Sequence, residues 1–201
     1  MSTIWRSALT ALLLAVLGTS TCNAVQLKIS RDSLQRTLKQ QLVNAPNGRF
    51  YLKGTPQTPC YAYAEDPQLL FDNNSGRLVV RVKIAAKLGK QWGNSCLGVN
   101  LTLPTEVTLA PDGQGEMVGF KDAKLTKISD HSELNFLLTP FLSHQVPKSM
   151  QINAADLMRK ALAGSTANSG FKVTLEKLNI HFMQIQGDNL VVDGDGDIQI
   201  Q

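Results

Sequence analysis

The stretch from Gly76 to Gly89 restricts the fold more than any other part of the 201-residue chain. In an extended chain Leu78, Val80, Val82, Ile84, Ala86 and Leu88 fall on one side and Arg77, Arg81, Lys83 and Lys87 on the other, because successive side chains of a strand point to opposite faces. The pattern predicts a long strand with one dry face and one wet, basic face. Such a strand is not stable alone. It requires sheet neighbours for its backbone and a second layer over its apolar row.

The rest of the chain supplies both. Val25, Leu27 and Ile29 alternate in a short strand; Ser30 then reads as an N-cap, with Asp32 in the first turn of a helix from Arg31 to about Val43. Ile29 and Leu34 have the spacing of a hydrophobic staple, and Leu34, Leu38 and Leu42 form one stripe. A short strand at Phe50 to Lys53 follows. Gly54 to Pro67, with three prolines, reads as a loop or edge segment, and Leu69 to Phe71 reverses through Asp72–Gly76 into the long strand.

Leu97, Val99, Leu101 and Leu103 alternate in a third strand, where Pro104 marks an edge or a bend before Glu106 to Ala110 continues. Pro111 to Gly115 is the next turn. Glu116 to Ile128 is a strand whose phase changes near Lys121 and Asp122, the signature of a bulge. These segments make a twisted antiparallel meander.

From Ser132 the period becomes helical, with Leu134, Leu137, Leu138, Phe141 and Leu142 on one face, a kink or new turn at Pro140, and a stop at Val146-Pro147. A second helix spans Asn153 to Ala163, offers Leu157, Met158, Ala161 and Leu162 for packing, and stops at Gly164. The C-terminus returns to strands: Phe171, Val173 and Leu175 alternate, the phase shifts at Lys177, and Leu178, Ile180 and Phe182 alternate in turn. After a turn at Gly187, a last strand carries Leu190, Val192, Ile198 and Ile200. The fold class is α+β, a strongly curved antiparallel sheet packed on amphipathic helices.

Arg6, the apolar run Ala8 to Leu17 and Cys22-Asn23-Ala24 predict a signal peptide over residues 1–24, cut after Ala24. A lipid anchor at Cys22 is the competing reading, but Thr19-Ser20-Thr21 lacks the small apolar lead-in that such chemistry uses. Removing residues 1–24 from 201 leaves 177, a single domain at 25–201, with no later apolar run long enough to cross a membrane. The expected location is the periplasm, or outside the cell if the source is not Gram-negative. The mature chain keeps Cys60 and Cys96, which an oxidising compartment pairs as a disulfide.

The net charge of +4 comes from scattered Lys and Arg, so no nucleic-acid partner is expected. Asp193-Gly-Asp-Gly-Asp197 resembles the opening of a calcium loop, yet Ile198 stands where the tight turn needs Gly and the chain ends before a bidentate Glu, so a turn is expected and no metal. His131, His144 and His181 have no ligand or triad spacing, and no phosphate loop or nucleophile motif is present. No catalytic residue, no cofactor and no enzymatic activity are expected.

The exported leader, the helix opening Ile29-Ser-Arg-Asp-Ser-Leu34, the long alternating strands, the Leu137-Leu-Thr-Pro-Phe-Leu142 helix and the closing strands resemble a known family. The resemblance is to small bacterial envelope proteins, often lipoproteins, with a fold like the tubular lipid-binding (TULIP-like) superfamily. This chain differs from the lipoprotein members in its weak lipidation site and in having Pro147 and a second helix where they often run one longer helix.

The resemblance implies a groove for an acyl chain or other apolar ligand between sheet and helix. Leu78, Val80, Val82, Ile84, Leu134, Leu138 and Phe141 are its candidate lining. The same faces serve equally to close a packed core. The expected function is therefore binding of a lipid or other hydrophobic ligand. The alternative is an envelope protein-interaction or assembly factor with a filled core, using a sheet edge or the Arg77, Arg81, Lys83, Lys87 face; a hydrolase without a legible motif is the third.

Overall fold

The computed structural model describes residues 24–43, 47–127, 130, 132–169 and 171–201. Residues 1–23 of the expected signal peptide, Cys22 with its alternative anchor, and His131 lie outside the described residues. The order is β1 (Ala24–Ser30), α1 (Arg31–Leu42), β2 (Arg49–Lys53), β3 (Tyr61–Asp72), β4 (Arg77–Trp92), β5 (Ser95–Gln114), β6 (Met117–Lys127), α2 (Ser132–Pro140, continued through Phe141–Gln145 to Val146–Lys148), β7 (Ile152–Asn153), α3 (Ala154–Ser169), β8 (Val173–Gln186) and β9 (Asn189–Ile200). Strands β2 to β7 form one antiparallel sheet in sequence order, strongly curled, and β1-β9-β8 form a second. The architecture is α+β, as the alternating strands and helical stripes predict.

The long strand behaves as its pattern requires. Leu78, Val80, Val82, Ile84, Ala86 and Leu88 are buried on one face of β4, and β4 pairs with β3 and β5 in continuous antiparallel register apart from one bulge in β3. The layer over them comes from α1 and α2. Ser30 caps α1 by accepting from the Ser33 amide, and Leu34, Leu38 and Leu42 enter the same core as the β4 row. Each leucine so buried contributes about 2 kcal/mol of transfer free energy.

Several expectations are corrected. Tyr61–Asp66 is strand rather than loop, because Asp66 and Pro67 form a bulge between the Glu65–Lys83 and Gln68–Arg81 pairs, so the proline's missing amide breaks no ladder bond. The Gln35 side chain of α1 takes up this bulge, donating to the Pro67 carbonyl (2.6 Å) and accepting from the Leu69 amide. Of the two readings for Pro104 the edge is the one found: it lies in the half of β5 that β6 does not reach, and β5 keeps its register with β4 from Ser95 to Leu109. Pro111 lies within β5, beyond the last residue paired with β4, and the turn falls at Gly115-Glu116. The bulge expected near Lys121 and Asp122 is present, with Asp122 at φ 51°.

Helix α2 ends at Lys148, one residue past the stop expected at Val146-Pro147. The Val146 amide donates to Phe141 five residues back, and this widened turn makes room for the Pro147 ring. On either side of Pro140, hydroxyls bond back to carbonyls four residues earlier: Thr139 donates to Asn135 and Ser143 to Thr139. Helix α3 passes through Gly164, which is not in the left-handed conformation that ends helices. Asn153 caps it by accepting from the Asp156 amide. Ala154 and Ala155 are its fully buried residues, Met158 and Leu162 pack partly, and Leu157 and Ala161 are exposed.

Asp193–Asp197 is not a turn. It lies within β9, between β1 and β8, with Gly194 and Gly196 buried and the acids turned outward. A Cβ on Gly196 would sit 2.6 Å from Val25 Cγ2, so the small residues are there for packing. The phase shift at Lys177 is a bulge, and a second, between Ile180 and Phe182, turns Phe182 outward instead of in. Phe171, Ile198 and Ile200 are exposed at the open end of this sheet.

Candidate functional site

The seven residues expected to line a groove, Leu78, Val80, Val82, Ile84, Leu134, Leu138 and Phe141, come together in one cluster, each 3% exposed or less. Phe141 also stacks on Phe50 of β2, with ring centroids 5.1 Å apart. Sheet and helices thus meet in a closed apolar seam, in which Thr105 and Ser149 are the buried polar residues among the described residues.

The seam is not uniform along its length. On the same face of β5, Leu109, Val107 and Thr105 are buried, Leu103 and Leu101 half-buried, Val99 47% exposed and Leu97 60% exposed. Leu97 and Val99 belong to the alternating row that predicts this strand, and they lie exposed although Ala86 and Leu88, level with Leu101 and Val99 on β4, are buried. Lys53 of β2 lies level with Ala62, Ala86 and Leu101 across the sheet, and the Lys53–Glu133 ion pair (2.6 Å) sets the start of α2 at that level. The β4–β5 hairpin runs on past the helix.

At Gly89 and Gly98, which face each other, the two strands approach so closely that a Cβ on either would collide with backbone of the other. The Cys60–Cys96 disulfide crosses β4 here, joining β3 to β5 with Cα atoms 5.1 Å apart. The expected pairing is therefore present, and it fits an oxidising compartment such as the cell envelope. Beyond it the hairpin tip carries Lys90 and Trp92, the latter 70% exposed.

On the outer face of the sheet, two of the four basic residues that β4 places there are paired with carboxylates. Arg81 pairs with Glu106 (2.6 Å) and Lys83 with Glu65 (3.5 Å), while Arg77 donates to the Asp122 carbonyl. Arg49 lies over the Tyr63 ring at 4.1 Å, beside Tyr61, which stacks on Tyr63, and Tyr51, whose ring is tilted to it. Hydrogen bonding to Tyr51, with Glu65 adding to it, holds the Arg49 guanidinium above its usual range, against the opposing effect of burial. Burial first, and then the Glu65 carboxylate, raise the Tyr63 phenol.

Among the described residues, two of the cavities open to solvent are lined by none of the seven candidate residues. One of about 730 Å³ lies between β1, α1 and the start of α3, lined mainly by polar side chains including Ser33, Gln40, Asn153 and Lys160. The other, about 360 Å³, lies over β5 and β6 against Gln151. Neither is lined by a histidine. His144 is exposed on α2, and His181 bonds to Asp195 at 2.6 Å on the surface of the small sheet. Among the described residues no group of His, Cys, Asp or Glu is arranged to hold a metal ion, and no helix is long and apolar enough to cross a membrane.

Two residues that sequence reasoning passed over join the elements. Gln35 clamps the β3 bulge, and Arg159 of α3 reaches Glu116 (2.8 Å) together with the Leu175 and Glu176 carbonyls, tying the two sheets together. Neither stands out in a hydropathy pattern, because each works through polar atoms at a distance in sequence.

No protein-family model matches the chain, and no curated protein is significantly similar to it. Among solved structures it is similar to a lipopolysaccharide binding protein, at 11% identity and a TM-score of 0.33, over 88% of this chain and 51% of that one. The chain thus spans about half the length of that protein, and a likeness so slight carries neither ligand nor activity across.

Proposed function

We propose that this is an exported, non-enzymatic protein that binds a lipid or another hydrophobic ligand between the curved sheet and its helices, without a cofactor. One observation carries the reading: a single apolar row on β5 runs from fully buried Leu109 to exposed Val99 and Leu97, so the seam between sheet and α2 opens to solvent at the hairpin end. An acyl chain entering there meets mainly apolar side chains, with Thr105 the one polar residue of the β5 row, and desolvation drives its insertion. Lys90, paired with Leu97 at the rim, suits an anionic head group.

The test is native mass spectrometry, with solvent extraction, of the exported protein purified from an envelope fraction. A stoichiometric lipid is expected. Val82→Trp or Leu138→Trp, which fill the seam, should abolish it; because overpacking costs about 1–3 kcal/mol, Val99→Asp at the exposed mouth serves as a variant that spares the core. An apo mass together with no uptake of fluorescent fatty acid overturns the reading.

A second reading, an envelope assembly factor that works through its surface, is favoured by the closure of all seven candidate residues into a filled core. An apo protein that captures an envelope partner, and loses it on change of the hairpin tip, is the result that selects it.

A further inference from the structure

Sheet edges present unpaired backbone groups, and proteins guard them with charge, proline, bulges or brevity. Most edges here are guarded. β2 is five residues long with Arg49 and Lys53 at its ends, β7 has two residues, and β1 carries Lys28. β8 carries Glu176 and Lys177 and packs against α3, and its Ile180 amide donates to Gly115.

The first half of β5 is different. β6 pairs with β5 only from Glu106 onward, so Ser95–Leu103 has β4 on one side and no described strand on the other. This stretch, Ser-Cys-Leu-Gly-Val-Asn-Leu-Thr-Leu, contains no charged residue and no proline.

The hairpin geometry shows which groups face out. Gly93-Asn94 is a two-residue turn with Gly93 at φ 57° in its first position, so Trp92 and Ser95 form a hydrogen-bonded pair. Pairs alternate along an antiparallel ladder, so Gly98, Asn100 and Thr102 direct their N–H and C=O groups away from β4. All three are exposed.

We infer that two copies of this chain pair through the Leu97–Leu103 edges of β5, antiparallel about a two-fold axis at Asn100. The sequence is self-complementary in that register. Asn100 faces Asn100 and Gly98 faces Thr102 as hydrogen-bonded pairs, while Leu97 meets Leu103 and Val99 meets Leu101 on the apolar face. The pairing covers the two most exposed residues of the β5 row and brings no like charges opposite one another within the paired strands. The apolar face then continues from one copy into the next. The inference does not rest on the ligand reading, although the pairing covers Leu97 and Val99 at the mouth proposed there; Asn100, on the outer face, lets the two be tested apart.

Sedimentation equilibrium of the exported chain, disulfide intact, tests it. The weight-average mass is expected to rise with concentration toward twice that of the monomer. Asn100→Pro should hold it at the monomer mass with circular dichroism and melting temperature unchanged, since the lost amide points outward. Leu97→Lys, which leaves the backbone intact, should weaken association at least tenfold. A wild-type protein that stays monomeric at every concentration overturns the inference, as does a dimer that persists in both variants; neither result bears on lipid binding by the monomer.

Discussion

Tyr63 is buried on the outer face of β3 between Tyr51 and Tyr61, with the Arg49 guanidinium over its ring. Its phenol is raised by burial and by Glu65, so in the folded protein it stays protonated after the same group in the unfolded chain has ionised. The stability it contributes is whole below the unfolded value of about 10, and is lost as pH rises through the higher folded value. The expected outcome is a late step in the tyrosinate absorbance titration, absent from Tyr63→Phe, with alkaline destabilisation reduced in that variant. This cluster illustrates what a sequence conceals. Arg49, Tyr51, Tyr61, Tyr63 and Glu65 look like a loop boundary with scattered polar residues until the β2–β3 register sets them side by side.

Among elements, the β4–β5 hairpin depends on the mutual approach of Gly89 and Gly98. Gly98→Ala is expected to cost about 2–4 kcal/mol, read as a lower urea midpoint, because the new methyl meets the Leu88 carbonyl rather than a side chain that can move. Element type was legible wherever period and apolar content agreed: α1 with its Ser30 cap, β4, and the bulges at Asp122 and Lys177 all follow from the pattern. Legibility failed where a residue's usual meaning was overridden. Pro67 and Pro111 read as breakers but sit where no ladder amide is needed, Gly164 reads as a stop but is absorbed by α3, and Asp-Gly alternation reads as a turn because glycine does not register as an inward residue. For the candidate seam, the seven lining residues were legible as one face. Its open end was not, because Leu97 and Val99 look like core until the reach of α2 over the sheet is known.

For the molecule as a whole, the Cys60–Cys96 bond closes a loop spanning 36 positions, including all of β4. On the chain-entropy account it stabilises the fold by roughly 4 kcal/mol. Cys60→Ser with Cys96→Ser should lower thermal stability by about that amount and loosen the hairpin first, seen as faster amide exchange beyond Gly89 than in β3. The arrangement of strands has a kinetic side as well. Within β2 to β6 each strand joins the next in sequence, so that part of the sheet can zip up one hairpin at a time, at small loop-closure cost. β1 cannot take part in this. Its partner is β9, with Ala24 set against Asp195 and Ser30 against Asn189, so the first described strand to be synthesised finds its place only when the last has been made. Until then α1, tethered directly to β1, has no fixed start. The apolar interior it covers stays open until that pairing is made.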